Sequence, residues 1–138
     1  MSARERFAWL WLGTLVVAYA AYFTALGLIG DTLTFGGRVA LFGACAAAQM
    51  LALGIGGLIL RRRRDELPVD ERDRAIEHRA LAAAYRVLMA GMIVVGGLMP
   101  FDARTGMDVW TTFNAAVLAI VLAELTHQLL VVRAYRRG

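Results

Sequence analysis

Lysine is absent from this 138-residue chain, and all fifteen basic residues are arginine. A GC-rich genome would produce the same bias towards arginine and alanine, so this absence alone indicates no function. Cysteine occurs once, at Cys45 inside an apolar run. A single cysteine excludes a disulfide framework and a cysteine-based metal site, and we interpret Cys45 as a small packing residue.

Charge is also missing from most of the chain. Charged residues make up 19% of the sequence and hydrophobic residues 59%, with a mean hydropathy of +0.59, whereas soluble proteins are about 45–50% apolar. The charges gather in short stretches between long apolar runs, which is typical of a membrane protein. We therefore attribute the net charge of +4 and the pI of 10.0 to arginine-rich loops on one side of a membrane, and not to nucleic-acid binding.

Four apolar runs are long enough to cross a bilayer as helices, because a hydrocarbon core of ~30 Å needs about 20 helical residues. The polar and apolar alternation of barrel strands is absent. Gly, Asp and Pro in the two short linkers favour tight hairpins. The sequence predicts one all-α domain over residues 1–138, an integral membrane four-helix bundle made of two helical hairpins with the third helix extended into the cytoplasm. The predicted spans are about residues 7–30, 39–60, 81–99 and 109–132, with a charged connector over residues 61–80.

The first apolar run could be mistaken for a signal peptide. It follows Arg4 and Arg6 and contains Ala18-Tyr19-Ala20, which resembles a cleavage site. The run continues to Ile29, however, and is longer than the apolar region of about 7–15 residues in a signal peptide. We therefore expect a retained first helix.

The arginines are distributed unequally between the two sides of a four-span layout. Thirteen of them fall on one side, and only Arg38 and Arg104 fall on the other. Cytoplasmic loops carry an excess of basic residues, so we expect both termini and the connector to be cytoplasmic. The expected location is the inner (cytoplasmic) membrane, as a multi-pass protein.

Small residues recur every four positions along the second run and share one helix face. Such faces let helix backbones approach closely inside a bilayer. Two interpretations are open: packing within the chain, which we favour, or a homo-oligomer interface. The second run carries Gly36, Ala40, Ala44, Ala48, Ala52 and Gly56, and the fourth repeats the spacing at Ala115, Ala119 and Ala123.

The connector and the start of the third run form the most distinctive segment. Pro68 followed by acidic residues is typical of a helix start, and we expect this helix to continue into the third span. Arg72, Arg79 and Arg86 recur every seven residues and share roughly one face. The segment is either a solvated helix that sets the topology or a docking surface for a cytoplasmic protein or for anionic lipid headgroups. The docking candidates are Arg61, Arg62, Arg63, Arg64, Asp70, Glu71, Arg72, Asp73 and Arg79.

The same segment resembles a motif of small prokaryotic four-span membrane proteins that are grouped as domains of unknown function. The motif, DER(D/E)xxIxx(R/K)A, precedes the third transmembrane helix. The last residues of the sequence, which follow an apolar span that contains an acidic residue, also resemble this group of proteins. The resemblance implies a four-helix inner-membrane protein and no activity. Members of this group resemble proteins whose genes lie beside those of small helix-turn-helix regulators. The resemblance therefore implies a regulatory or stress role. The resemblance rests on Asp70, Glu71, Arg72, Asp73, Ile76, Arg79, Ala80 and Tyr85, and on Tyr135, Arg136, Arg137 and Gly138.

Ionisable residues inside the predicted spans are few and therefore informative. A charge at such depth costs ~2.5–3.5 kcal/mol on insertion scales, so it normally faces the protein interior and is paired. We expect Arg86 and Glu124 to lie at comparable depths and to interact, with His127 close by. This group is either a structural ion pair or the proton-carrying site of a small transporter. Gln49, midway along the second span, completes the candidate intramembrane polar site.

Motifs for catalysis or cofactor binding are missing. No serine, cysteine or metal cluster supports hydrolysis or redox chemistry, and a haem would find only His127, with Met50, Met89 or Met92 as a second ligand. We therefore expect a non-enzymatic protein without a cofactor or metal. The leading hypothesis is action by oligomerisation, or by docking a cytoplasmic partner or anionic lipid through the connector. The alternative is a small transporter or channel that uses Arg86, Glu124 and His127.

Overall fold

The computed structural model describes residues 3–61, 71–98 and 109–137. These residues form four α-helices: α1 (Ala3–Ile29), α2 (Phe35–Arg61), α3 (Glu71–Ile93) and α4 (Val109–Arg137). A 3-10 turn, Gly30–Thr32, follows α1, and a π-helical turn, Val94–Leu98, follows α3. All four helices are long and apolar enough to cross a membrane, which confirms the prediction of an all-helical protein with four candidate spans.

The helices form two compact units. The first, Met1–Leu67, contains α1 and α2, and the second, Pro68–Gly138, contains α3 and α4. Within each unit the two helices pack against one another. The third helix starts at Glu71 and runs without interruption to Ile93, so the charged first turns and the apolar remainder belong to a single helix, as the sequence predicts.

A short turn with its own hydrogen bonds joins α1 to α2. The N–H of Leu33 donates to the carbonyl oxygen of Gly30 at 3.2 Å, and Nε of Arg38 donates to the same oxygen at 2.9 Å. The hydroxyl oxygen of Thr34 accepts a hydrogen bond of 3.2 Å from the N–H of Gly37. A threonine whose hydroxyl accepts a hydrogen bond from the N–H three residues later is an N-cap. Thr34 thus satisfies a backbone donor at the start of α2.

Aromatic rings and one glycine set the contact between α1 and α2. The Tyr22 side chain is fully buried, and its ring packs edge-on against Phe42 of α2 with a centroid separation of 5.7 Å. Nearer the other end, a Cβ on Gly56 would overlap the side chain of Leu10. Gly56 therefore leaves room for the Leu10 side chain between the two helices.

Small residues also lie where α3 meets α4. A Cβ on Gly91 would come within 2.6 Å of the Cβ of Ala119, and Ala80, Ala84 and Ala123 are buried. These small residues serve packing inside the second unit, which agrees with the interpretation that we favoured. On α2 the stripe behaves differently, because its members towards the start of the helix are exposed: Gly36, Ala40, Ala44 and Ala48.

Candidate functional site

Two acidic residues near the start of α3 interact with α4. Asp73 and Glu77 are four residues apart and therefore share a helix face. The Tyr135 hydroxyl donates a hydrogen bond of 2.7 Å to Oδ1 of Asp73, and Nε2 of His127 lies 3.8 Å from Oε1 of Glu77. The first two turns of α3 thus present both carboxylates to polar groups of α4.

The Gln128 side chain lies beside the His127 ring. Gln128 is buried, and its Nε2 lies 3.2 Å from Nδ1 of His127. The Gln128 amide can donate to Nδ1 of a neutral ring that carries its hydrogen on Nε2. This Nε2 is the nitrogen nearest Glu77, and it is buried without a hydrogen-bond partner among the described residues. The site therefore contains a buried ring nitrogen that forms no hydrogen bond with the described residues.

Glu124 lies one turn from His127, further into the candidate span formed by α4. Its Oε2 is buried and has no hydrogen-bond partner among the residues that the structure describes. Residues three apart are neighbours on a helix surface, so this unused acceptor lies on the same side of α4 as His127. An unsatisfied buried polar atom is costly and calls for an explanation.

Arg86 lies at the same height along the α3–α4 helix pair as Glu124, but on a different side of that pair. Both residues are five positions from the contact between Gly91 and Ala119, towards the end where α3 begins. Five residues also rotate Arg86 by about 140° around α3 from Gly91, and its side chain is exposed. No ion pair joins Arg86 to Glu124 within the described part of the chain.

Three arginines form an exposed stripe on α3, which we call the arginine face: Arg72, Arg79 and Arg86. All three side chains are exposed, and none forms an ion pair with another residue that the structure describes. The seven-residue spacing keeps them on one side of the helix, while Asp73 and Glu77 interact with α4. The arginine face is therefore separated from Asp73 and Glu77 around the helix.

Gln49 belongs to the first unit. Its side chain is buried, and it lines an apolar groove of about 620 Å³ between α1 and α2, together with Trp9, Thr14, Cys45 and Ala48. The threonine hydroxyl donates to the carbonyl oxygens of Leu10 and Trp11 within its own helix. Gln49 is thus a polar residue in a mostly apolar groove, and its inclusion in one site with Glu124 stays a prediction.

Part of the predicted docking segment lies outside the described residues. This applies to Arg62, Arg63, Arg64 and Asp70, whereas Arg61 is the last residue of α2. Glu71 and Arg74 are exposed in the first turns of α3. The arginine face is therefore the part of the predicted docking surface that the structure describes.

Six residues of α3 and α4 form what we call the polar cluster: Asp73, Glu77, Glu124, His127, Gln128 and Tyr135. The sequence analysis did not include three of them among the residues of the intramembrane polar site: Glu77, Gln128 and Tyr135. Asp73 and Glu77 are four residues apart and share a helix face. Two acids on one face also indicate that this face meets polar groups, here from α4. Gln128 directly follows His127, which the sequence places in the candidate polar site, so its position next to that histidine was a usable signal.

Metal ligation finds little support in the same residues. Among the side chains of the described ranges, no group of three or more His, Cys, Asp or Glu residues could hold a metal ion. The polar cluster instead combines three carboxylates with an imidazole, an amide and a phenol hydroxyl. Such groups bind and transfer protons and hold water.

Four apolar helices with polar residues inside the candidate spans define an all-helical membrane protein. Residues 8–138 match the sequence model of the family DUF2178, described as a predicted membrane protein. The chain belongs to this family, whose function is unknown, and the expected resemblance to uncharacterised membrane proteins is confirmed at that level. No curated protein matches the chain, and no solved structure matches it.

Proposed function

We propose that this protein is a non-enzymatic membrane protein that docks anionic lipid headgroups through its arginine-rich connector and the arginine face of α3. One observation carries the proposal: Arg72, Arg79 and Arg86 are exposed on one side of α3 and form no ion pair with any other described residue. Arginine binds phosphate with a planar set of donors. Basic clusters beside a membrane span attract anionic lipid.

The separation of charges around α3 supports lipid docking. If Asp73 and Glu77 pointed in the same direction as the arginines, they would neutralise the stripe and repel phosphate. Tyr135 holds Asp73 through a hydrogen bond of 2.7 Å, and His127 lies 3.8 Å from Glu77. The hydrogen bond keeps the Asp73 carboxylate towards α4, and the Glu77 carboxylate lies on the side of α3 that faces His127.

The proposal includes a topology in the inner membrane. Two helical hairpins cross the bilayer, and both termini, the connector and the start of α3 face the cytoplasm. The short hydrogen-bonded turn between α1 and α2 supports the first hairpin. In the second unit Asp73, near the start of α3, meets Tyr135, near the end of α4. Gly91, near the end of α3, meets Ala119 in the first half of α4. These two contacts support an antiparallel arrangement for the second hairpin. The excess of arginine on one side supports the orientation.

Assembly of several copies is part of the same proposal. The exposed small residues of α2, from Gly36 to Ala48, provide a face on which a second copy could pack closely. Oligomerisation would place several arginine faces around one lipid cluster. Native mass spectrometry of the complete protein measures the number of copies directly.

Lipid retention in native mass spectrometry tests the docking function. The protein is reconstituted in nanodiscs of mixed phosphatidylglycerol and phosphatidylcholine, as parent, as the triple variant Arg72→Gln/Arg79→Gln/Arg86→Gln, and as Arg74→Gln. Each arginine near a bilayer surface contributes about 1 kcal/mol, or about fivefold in affinity. We expect the triple variant to lose most of the retained phosphatidylglycerol and Arg74→Gln to keep it, because Arg74 is exposed on another side of α3. Equal retention in all three proteins would refute lipid docking by this face.

A second candidate function is a small transporter or channel with its site at Glu124 and His127, to which Arg86 could contribute from a second copy. The buried Oε2 of Glu124, which has no hydrogen-bond partner among the described residues, favours it. Intramembrane ionisable groups of this kind mark proton and ion pathways. The test is proton flux into proteoliposomes that contain a pH-sensitive dye, for the parent protein and for Glu124→Gln. Flux in the parent that the variant lacks supports transport, and equal flux in both rejects it.

A further inference from the structure

The amide of Gln49 has no hydrogen-bond partner among the described residues, although the side chain is 96% buried, with an exposed fraction of 4%. Gln49 lies ten residues, or about 15 Å, inside the nearer end of the candidate span of α2. An unpaired amide is costly inside a protein, and the hydrocarbon core of a membrane offers no water to pair it. The amide therefore calls for a partner other than the described residues.

Gln49 lines an apolar groove between α1 and α2 that has a volume of about 620 Å³. On α1 the lining extends from Trp9 to Ala21, a length of about 18 Å at 1.5 Å per residue. On α2 it includes Cys45, Ala48 and Gln49, whose spacing of three and four residues places them on one helix face. Ligand pockets commonly measure about 300–1,000 Å³, so the groove is large enough for a small lipid.

The groove is too narrow to enclose a helix of a second copy. A helix with its side chains is about 10 Å wide, so a length of about 18 Å occupies roughly 1,400 Å³. This is more than twice the volume of the groove. Such a helix would rest on the rim, at exposed residues such as Ala48, and would not reach the buried Gln49. A single hydrocarbon chain is thinner than a helix and can lie along the groove.

A second polar group lies at nearly the same height as Gln49. Gln49 is seven residues from Gly56 and seven from Phe42, the two α2 residues whose contacts with α1 are described above. It is therefore level with Val16, midway between their partners on α1. Thr14 is two residues from Val16, or about 3 Å along the helix axis. Thr14 lines the same groove, and its hydroxyl donates to carbonyl oxygens of its own helix, so its oxygen serves the groove as an acceptor.

The two polar groups match a ligand hydroxyl, which can accept from Nε2–H of Gln49 and donate to the Thr14 oxygen. A ketone has no hydrogen to donate. A fatty acid with an ordinary carboxyl pKa of about 4.3 is neutral in only about one molecule in 500 at pH 7, and a charge is costly at this depth. Phospholipid headgroups stay at the membrane surface, far from Gln49. A neutral alcohol therefore fits best.

We propose that the groove between α1 and α2 binds a long-chain lipid alcohol. Its hydroxyl group lies between Gln49 and Thr14, and its hydrocarbon chain follows the apolar lining of the groove. This site belongs to the first unit, whereas the arginine face and the polar cluster belong to the second. The proposed docking of anionic headgroups does not depend on it.

Photolabelling of the complete protein in nanodiscs tests the site. The probe is hexadecan-1-ol with a diazirine near its methyl end, at a low and fixed fraction of the lipid, and mass spectrometry of peptides maps the adducts. We expect adducts on groove residues of the parent protein. Gln49→Leu should reduce them about 3- to 20-fold, the range for hydrogen bonds between membrane helices. Equal labelling of this variant and the parent would overturn the proposal.

Two leucine variants test the location independently of the amide. Ala48→Leu fills part of the groove and should remove most of the adducts. Ala47→Leu is the matched control, because Ala47 is also exposed but lies about 100° further around α2, outside the groove lining. Circular dichroism checks that each variant keeps its helices. Equal labelling of the two leucine variants would exclude binding in the groove.

Competition with unlabelled lipids tests the recognition of the hydroxyl group. Hexadecan-1-ol should displace the probe at a lower concentration than hexadecan-2-one or hexadecanoic acid at pH 7. Displacement by the ketone or by the acid at the same concentration as the alcohol would contradict the assigned chemistry. A parent protein without adducts in the groove, as expected if a second copy or another part of the chain covers it, would also overturn the proposal.

Discussion

The hydroxyl of Tyr135 donates a hydrogen bond of 2.7 Å to Oδ1 of Asp73 and so joins the last turns of α4 to the first turn of α3. The two residues are 62 positions apart and belong to the two segments on which the sequence resemblance rests. This bond keeps one acidic residue of α3 directed towards α4. It therefore contributes both to packing and to the separation of Asp73 from the arginine face.

Tyr135→Phe removes this hydrogen bond and should destabilise the α3–α4 pair by about 1.5 kcal/mol, at the lower end for bonds to charged groups because Asp73 is partly exposed. Unfolding by SDS, followed by circular dichroism, measures the change. Tyr85→Phe is the control, since Tyr85 is exposed on α3. Equal stability of the Tyr135→Phe variant and the parent would show that the bond contributes nothing.

Gly91→Ala should separate α3 from α4. The added methyl group would lie within 2.6 Å of the Ala119 Cβ, and overpacking of this kind costs about 1–3 kcal/mol. Gly96→Ala is the control, because its Cβ would meet nothing within 4 Å. The double variant Gly91→Ala/Ala119→Gly should regain stability in the same SDS titration, and failure to regain it would contradict direct contact between the two positions.

Thr34→Ala should weaken the start of α2. The Thr34 hydroxyl accepts the N–H of Gly37 at 3.2 Å, and loss of an N-cap costs about 1 kcal/mol. Hydrogen exchange of the Gly37 amide should accelerate, while amides in the middle of α2 keep their rates. Thr34→Ser preserves the hydroxyl and serves as the control. Unchanged exchange at Gly37 in the alanine variant would exclude the cap.

Cysteine labelling tests the proposed topology. In a Cys45→Ala background, a membrane-impermeant maleimide should label Asp31→Cys on intact spheroplasts. Glu71→Cys and Arg137→Cys should react only after the membrane is opened, because cytoplasmic segments carry the arginine excess. Labelling of Glu71→Cys on intact spheroplasts would reverse the orientation, and labelling of Asp31→Cys and Arg137→Cys together would contradict an even number of spans.

Hydropathy and charge were sufficient to predict four apolar helices and a third helix that continues from the connector. The seven-residue spacing predicted a shared face for Arg72, Arg79 and Arg86, and all three are exposed. The contacts of Asp73 and Glu77 with α4 could not be predicted in the same way. They depend on how α3 and α4 rotate about their axes, which the fit of Gly91 against Ala119 determines and which hydropathy does not record.

Arg86 and Glu124 show this limit most clearly. Counting residues along each span predicts a common depth, and both residues are indeed five positions from the contact of Gly91 with Ala119. Depth does not determine direction, however, because five residues also rotate Arg86 by about 140° from the contact face. Their interaction stays a prediction, whereas His127 lies near Glu77.

Photocrosslinking in living cells tests lipid docking by the arginine face most directly. A photoreactive amino acid is placed at Ala75, which is exposed and lies three residues after Arg72 and four before Arg79, hence on the same face. The control position is His78, which is exposed on another side of α3. We expect phospholipid adducts rich in phosphatidylglycerol at position 75, and few at position 78. Adducts to a cytoplasmic protein at position 75, or equal lipid adducts at both positions, would contradict the proposed docking of anionic lipid.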